Sequence, residues 1–338
     1  MSGATEDDGS AAEWRLAENR DRADAYRKDE AAEAALLRMN EALAPLEPAA
    51  WSGVVRPTVF VLGLPRSGTT LLGQLLAATL ELGIIDGLAA RFWLAPCQGV
   101  VLSRQVLGET RDSSFVSDLG RGADLRSPHE FSYFWQHWLR IESTDDLLSF
   151  GSPRRTVDWP GLRRVVGAIG DTWDRSLMFK TNYAGQFSGH FAATFPAPLF
   201  VSIERPPAAV ALSILRARRR YYGTSERWWA TLPPDYQELV GCPVPDQIAG
   251  QVASLRSAYR EQLEAVDPEA VVRLDYDELC ANPSAAVAAV RERLWTRHRA
   301  AVDLLVAPPA RFEVSPSQPA DAEERAVVEA TLATVRTP

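Results

Sequence analysis

The stretch Thr58-Val-Phe-Val-Leu-Gly63-Leu-Pro-Arg-Ser-Gly-Thr-Thr70 constrains the chain more than any other. An apolar run stops at Gly63, a second glycine follows at Gly68, and Leu71-Leu72 open a helical pattern. A strand, a tight turn and a helix joined this way leave backbone N–H groups aimed outward at a helix N-terminus, where anions bind. The segment fits the phosphate-loop template G-x-x-x-x-G-K-[ST] at every fixed position except one, where Thr69 replaces the lysine. The loop's cation is instead Arg66.

Three further short apolar runs read as buried strands: Leu177–Phe179, Leu199–Ile203 and Val271–Leu274. Helical patterns follow at about 184–194, 207–220, 246–266 and 283–295. Strands alternating with helices imply a parallel sheet covered on both faces, with ligands beyond the carboxyl ends of its strands. The expected fold is therefore α/β with helical insertions at about 85–170 and 220–265. Residues 51–338 would form one domain, preceded by a helical N-terminal arm over 1–50. Within that arm, 11–45 reads as a partly amphipathic helix carrying Trp14, Leu16, Tyr26 and Leu36, solvated on much of its surface.

Composition narrows the function. A net charge of −8 argues against non-specific nucleic-acid binding. An anionic ligand must then be met by a local cluster of cations. No apolar run is long enough to span a membrane, and the acidic, polar start is not a secretory signal. Cys97, Cys242 and Cys280 are far apart and, like the four histidines, show no metal-ligand spacing, which implies free thiols in a reducing, cytoplasmic setting and no metal site. Of 36 basic residues only Lys28 and Lys180 are lysine, so a lysine following an apolar strand is conspicuous.

Residues just beyond the strand ends are the candidate site. Lys180-Thr-Asn182 follows the second run, and Arg205 the third, with Ser213 eight residues further on in the next helix. A guanidinium, a hydroxyl and a helix N-terminus make a second anion site. Two anion sites on one sheet suit a ligand with two separated anionic groups.

Over about residues 56–295 the chain resembles the sulfotransferases that use 3′-phosphoadenosine 5′-phosphosulfate (PAPS), bacterial members in particular. Gly63–Thr70 is similar to their 5′-phosphosulfate loop, Arg205 and Ser213 to their 3′-phosphate pair, and Tyr276 to a Tyr-x-x-Leu residue at the nucleotide end. The resemblance implies a phosphate-loop nucleotide fold and donor binding by Pro65, Arg66, Ser67, Gly68, Thr69, Thr70, Arg205, Ser213 and Tyr276. It also implies that Arg66 and Lys180 are catalytic, that no metal is needed, and that adenosine 3′,5′-bisphosphate is the second product. The acceptor would be a hydroxyl of a secondary metabolite, glycan or lipid. Pro206 departs from the pattern, since an acidic residue commonly follows the arginine. Asn182 departs from it too, standing where cytosolic relatives carry histidine.

The general base is open among Glu130, His129 and Asp86, in that order. His129, or a Glu130 raised by nearby aromatics, would have a suitable pKa. Helix capping after Ser127-Pro128 accounts for Pro128-His129-Glu130 equally well. Phe131, Tyr133, Phe134, Trp135, Trp138, Trp228 and Trp229 read more as core than as acceptor pocket. An ATP-dependent small-molecule kinase is the alternative, lacking its loop lysine and a clear acidic residue at the strand ends. A non-catalytic nucleotide-binding protein is the other.

Overall fold

A computed structural model describes residues 19–47, 51–122 and 124–336. Five parallel strands form the main sheet: β1 (Thr58–Leu62), β2 (Gly83–Ile84), β5 (Leu177–Lys180), β6 (Pro198–Glu204) and β7 (Val271–Asp275), in the order β2-β5-β1-β6-β7. Between β2 and β5 a two-stranded antiparallel hairpin pairs β3 (Ser117–Asp118) with β4 (Arg121–Gly122). The sheet matches the expected α/β architecture. Two-residue β2, too short to show a period, was not expected, and β6 runs on to Glu204.

The sheet is buried on both faces, as its continuous apolar strands require. Alternate residues of β1 serve opposite cores. Phe60 and Leu62 join Phe179, Phe200 and the aromatics of α4 (Ser132–Leu139) and α5 (Trp159–Trp173). Val59 and Val61 join Leu72, Leu75 and Leu76 of α2 (Thr69–Thr79) and Val287 and Val290 of α9 (Pro283–His298). Phe131, Phe134 and Trp135 are core, each at most 1% exposed, whereas Tyr133, Trp138, Trp228 and Trp229 are half-buried.

The expected helices form as α6 (Pro207–Tyr222), α7 (Val244–Glu264) and α9, while 184–194 divides into Tyr183–Gln186 and Ser188–Thr194. α3 (Pro96–Leu107) lies in the expected insertion. Helix α1 (Glu30–Leu43) is largely exposed but docked: Asn40 donates to Arg91 O and accepts from the Leu94 N–H, at 2.8 and 2.9 Å. Trp14 and Leu16 of the expected arm helix lie outside the described residues. The segment before α1 reaches inward. Lys28 binds Glu33 and the Tyr133 hydroxyl, and Tyr26 donates to Asp118.

Candidate active site

β1 is central, so its loop emerges between the ends of β5 and β6. The register sets Val61 beside Lys180 and Leu62 beside Ser202, which brings the three strand ends to one edge.

The loop is shaped by close approach. A Cβ on Gly63 would lie 2.6 Å from both Ile203 O and Ser67 Oγ. Gly68 has φ +107°, and a Cβ there would lie 2.5 Å from the Tyr276 ring. Arg66 also holds a positive φ of 70°, a conformation that non-glycine residues seldom take outside constrained sites. The first intrahelical bond shown at this end joins the Leu72 N–H to Gly68 O at 3.0 Å. The earlier N–H groups of the first turn are therefore without intrahelical partners. Ser67 is 1% exposed and its Oγ has no hydrogen-bond partner; Thr181 Oγ1, at the end of β5, is buried and equally orphaned.

The cations converge on this loop. Arg66 Nε donates to Ser213 Oγ at 2.9 Å, so the loop directly touches a residue expected at the second anion site. Arg205 donates to Arg66 O at 3.2 Å and lies 4.5 Å over the Tyr276 ring. Among the described residues neither Arg66 nor Arg205 has a carboxylate at ion-pair distance. Burial, then the neighbouring Arg205 guanidinium, lowers the Arg66 pKa. A pair of partly desolvated guanidiniums without a counter-charge is a site for an anion.

Tyr276 begins α8 (Tyr276–Ala281), whose N-cap Asp275 accepts from the Asp277 and Glu278 N–H groups. It is 4% exposed, packed between Gly68 and Arg205, and its hydroxyl meets Ser315 Oγ at 3.3 Å. Tyr276 thus backs both the Gly68 turn and the Arg205 guanidinium.

Lys180 is 4% exposed. Its stem runs along α2 opposite Gly73, and its Nζ contacts Thr70 Oγ1 at 3.1 Å, Gly120 O at 2.9 Å and Glu130 Oε1 at 3.1 Å. Burial acts to raise the Glu130 pKa, but the Lys180 charge and hydrogen bond outweigh it, and the carboxyl sits below its ordinary value. The expected upward shift does not occur: the buried aromatics face the core, while Glu130, 46% exposed, faces an ammonium.

His129 Nδ1 accepts from the Phe131 N–H at 2.9 Å. Desolvation by the packed groups around the ring lowers its pKa to about 4, against the opposing pull of Glu130, although part of the residue stays exposed to solvent. The ring is therefore neutral near pH 7, with its proton on Nε2, and neither nitrogen is open to take another. Asp86 is remote in role. It accepts from the Leu88 and Ala89 N–H groups and from Ser103 Oγ, which fastens the turn after β2. Asn182 Nδ2 meets Thr231 Oγ1 at 3.5 Å, and its carbonyl accepts from the Tyr259 hydroxyl at 3.4 Å.

Residues 57–296 match the model of the sulfotransferase family. The chain belongs to the sulfotransferase family. Among solved structures this sulfotransferase is similar to sulfotransferase STF1 from Mycobacterium tuberculosis H37Rv, at 14% identity over 88% of this chain and 78% of that one, with a TM-score of 0.50. It is also similar to sulfotransferase STF9 from Mycobacterium avium (15% identity, 90% and 74% covered, TM-score 0.42). A third is a sulfotransferase from Alicyclobacillus acidocaldarius (15%, 83% and 95%, 0.39). Among curated proteins nothing matches the chain.

Three participants escaped the sequence reading. Gly120 sits in a hairpin of two-residue strands, too short for periodicity to reveal. Ser315, whose carbonyl accepts from Arg205 at 3.3 Å, comes from the irregular stretch before α10 (Ala322–Arg336). Tyr26 carried no signal beyond its place in an amphipathic pattern.

Proposed function

We propose that this sulfotransferase draws its sulfuryl group from PAPS and delivers it to a hydroxyl of a small-molecule acceptor. The observation that carries this reading is Lys180, buried at the end of β5 and bonded at once to Thr70 of the phosphate loop and to Glu130. A cation placed there touches both the donor side and the acceptor side of an in-line transfer.

The orphaned Ser67 Oγ, the free first-turn N–H groups and the unpaired guanidiniums suit a doubly phosphorylated nucleotide. Backbone N–H groups of Gly68 to Thr70, with the Ser67, Thr69 and Thr70 hydroxyls, would hold its 5′-phosphate, while the Ser67 N–H donates to Leu64 O at 3.0 Å and closes the turn. Pro65 shapes the turn. Arg205 and Ser213 would hold the 3′-phosphate, backed by Tyr276. Bound there, the donor supplies an activated S–O bond to the 5′-phosphate.

Glu130, ionised at neutral pH, takes the acceptor hydroxyl's proton as its oxygen bonds to sulfur. Lys180 and Arg66 neutralise the charge that gathers on the bridging oxygen as the old S–O bond breaks. Catalysis is then mainly positioning and fixed electrostatics. His129, neutral with Nε2–H free to donate, can orient the acceptor oxygen.

The test is release of adenosine 3′,5′-bisphosphate from PAPS with a panel of hydroxyl acceptors. Wild type should turn over with at least one acceptor class. Arg66→Ala, Lys180→Ala and Arg205→Ala should each be impaired; undiminished transfer by all three would refute the assignments.

A further inference from the structure

The β3–β4 hairpin holds a position the reaction needs. Its two-residue turn, Leu119-Gly120, has positive φ at both residues, 47° and 87°, the geometry of a tight primed turn. The turn thrusts the Gly120 carbonyl into the phosphate loop. That oxygen accepts from Lys180 Nζ at 2.9 Å and from Thr70 Oγ1 at 2.9 Å, and a Cβ on Gly120 would lie 3.8 Å from Arg66 Nη1. One backbone dipole thus engages two groups that the donor reading assigns to the phosphosulfate, with the third close by.

The hairpin's other side is latched. Asp118 accepts from the Tyr26 hydroxyl at 2.9 Å and pairs with Arg220 Nη2 at 3.0 Å. Arg121 donates to the Tyr221 hydroxyl at 2.8 Å. Arg220 and Tyr221 end α6, the helix that also carries Ser213. The Ala23 N–H donates to Tyr221 O at 2.8 Å and the Tyr26 ring packs 5.0 Å from that of Tyr221, so the N-terminal segment is clamped to the same helix end.

We propose that the hairpin is a lid over the donor site, with the Gly120 carbonyl standing in for the donor's anion and the Asp118 latch setting how fast the lid opens. The inference rests on the PAPS reading. Lys180 and Thr70 cannot give the same hydrogen bonds to Gly120 and to a phosphosulfate, so the turn must withdraw for the donor to seat. A multiply charged ligand outcompetes one neutral carbonyl for an ammonium with a guanidinium close by. The exchange is therefore downhill once the latch releases.

Stopped-flow mixing with adenosine 3′,5′-bisphosphate, read by tryptophan fluorescence, tests the lid. If opening comes first, the observed rate must reach a plateau at high ligand concentration equal to the opening rate. Tyr26→Phe removes one latch bond, keeps the Asp118 charge and touches no donor-binding group. The plateau should rise about three- to tenfold. Arg220→Gln, a change at an exposed residue, should act in the same direction and serves if the first variant folds poorly. A rate that stays linear in ligand, or a plateau that neither variant moves, overturns the lid. Calorimetry on the wild type separates the two ideas: no binding removes the donor reading and the lid with it, whereas binding with unresponsive rates removes the lid alone.

Discussion

Lys180 and Glu130 meet at 3.1 Å, joining the end of a central strand to the turn that leads into α4. The pairing fixes the charge state of the carboxylate proposed as the base. An ammonium 4% exposed and bound to the phosphate loop holds a carboxylate in its ionised form on the proposed acceptor side. Depressing the base's pKa weakens it as a base. In a loose transfer the hydroxyl proton leaves late, so holding the carboxylate ionised matters more than its intrinsic strength.

Glu130→Gln keeps the shape and a hydrogen bond to Lys180 while removing the basic oxygen. Turnover should fall about 10²- to 10⁴-fold. Affinity for adenosine 3′,5′-bisphosphate should change little, as measured by calorimetry beside steady-state rates.

Lys180→Arg should retain charge and lose most of the function. The pocket beside Gly73 fits a compact ammonium that meets Thr70, Gly120 and Glu130, and a planar guanidinium cannot point at all three partners. Turnover should drop about 10²- to 10³-fold. A variant within tenfold of wild type would show that charge alone suffices.

Arg205→Ala should act on binding. It removes the guanidinium stacked on Tyr276 and hydrogen-bonded to Arg66 O. Charged hydrogen bonds contribute about 1.5–3 kcal/mol, so the dissociation constant for adenosine 3′,5′-bisphosphate should rise about 10- to 150-fold. Ser213→Ala should do the same more weakly and should also free Arg66 Nε.

The acid limb should be displaced. The Glu130 pKa lies below the usual carboxylate value and that of His129 is about 4, so both groups keep their neutral-pH forms as the solution is acidified. At saturating donor, kcat should stay flat from pH 8 to about pH 5. A limb near 6.5 would implicate an unperturbed histidine. The stability effect has the matching sign. The depressed Glu130 pKa adds stability above the unfolded carboxyl's pKa, and that contribution fades as pH falls through the lower folded value.

Gly68→Ala should disable the loop. The position has φ +107° and an added Cβ would lie 2.5 Å from the Tyr276 ring. Stability should fall by about 1–3 kcal/mol, seen as a lowered Tm, together with loss of nucleotide binding.

Much of the proposed donor side was legible in the sequence because it is local. The loop is one contiguous motif, Arg205 and Ser213 share a strand end and the helix after it, and Lys180 ends an apolar run. Each could be placed from a strand boundary alone. The acceptor side was less legible. Glu130 reaches Lys180 only through the tertiary path from β2 to α4, and its pKa direction depended on that partner. The Arg66–Ser213 hydrogen bond joins two sites that looked separate. The contacts of Tyr26, Asp118 and Gly120 pair distant segments through short, irregular elements, and no periodicity marks them.

The most direct measurement is a calorimetric titration of the wild-type chain with adenosine 3′,5′-bisphosphate and, separately, with ATP and Mg²⁺. The two-phosphate site proposed for Arg66, Lys180, Arg205 and Ser213 predicts micromolar or tighter binding of the bisphosphate, weakened at least tenfold by Arg205→Ala, and far weaker binding of ATP–Mg²⁺. Tight ATP–Mg²⁺ binding with no detectable bisphosphate binding would contradict the account.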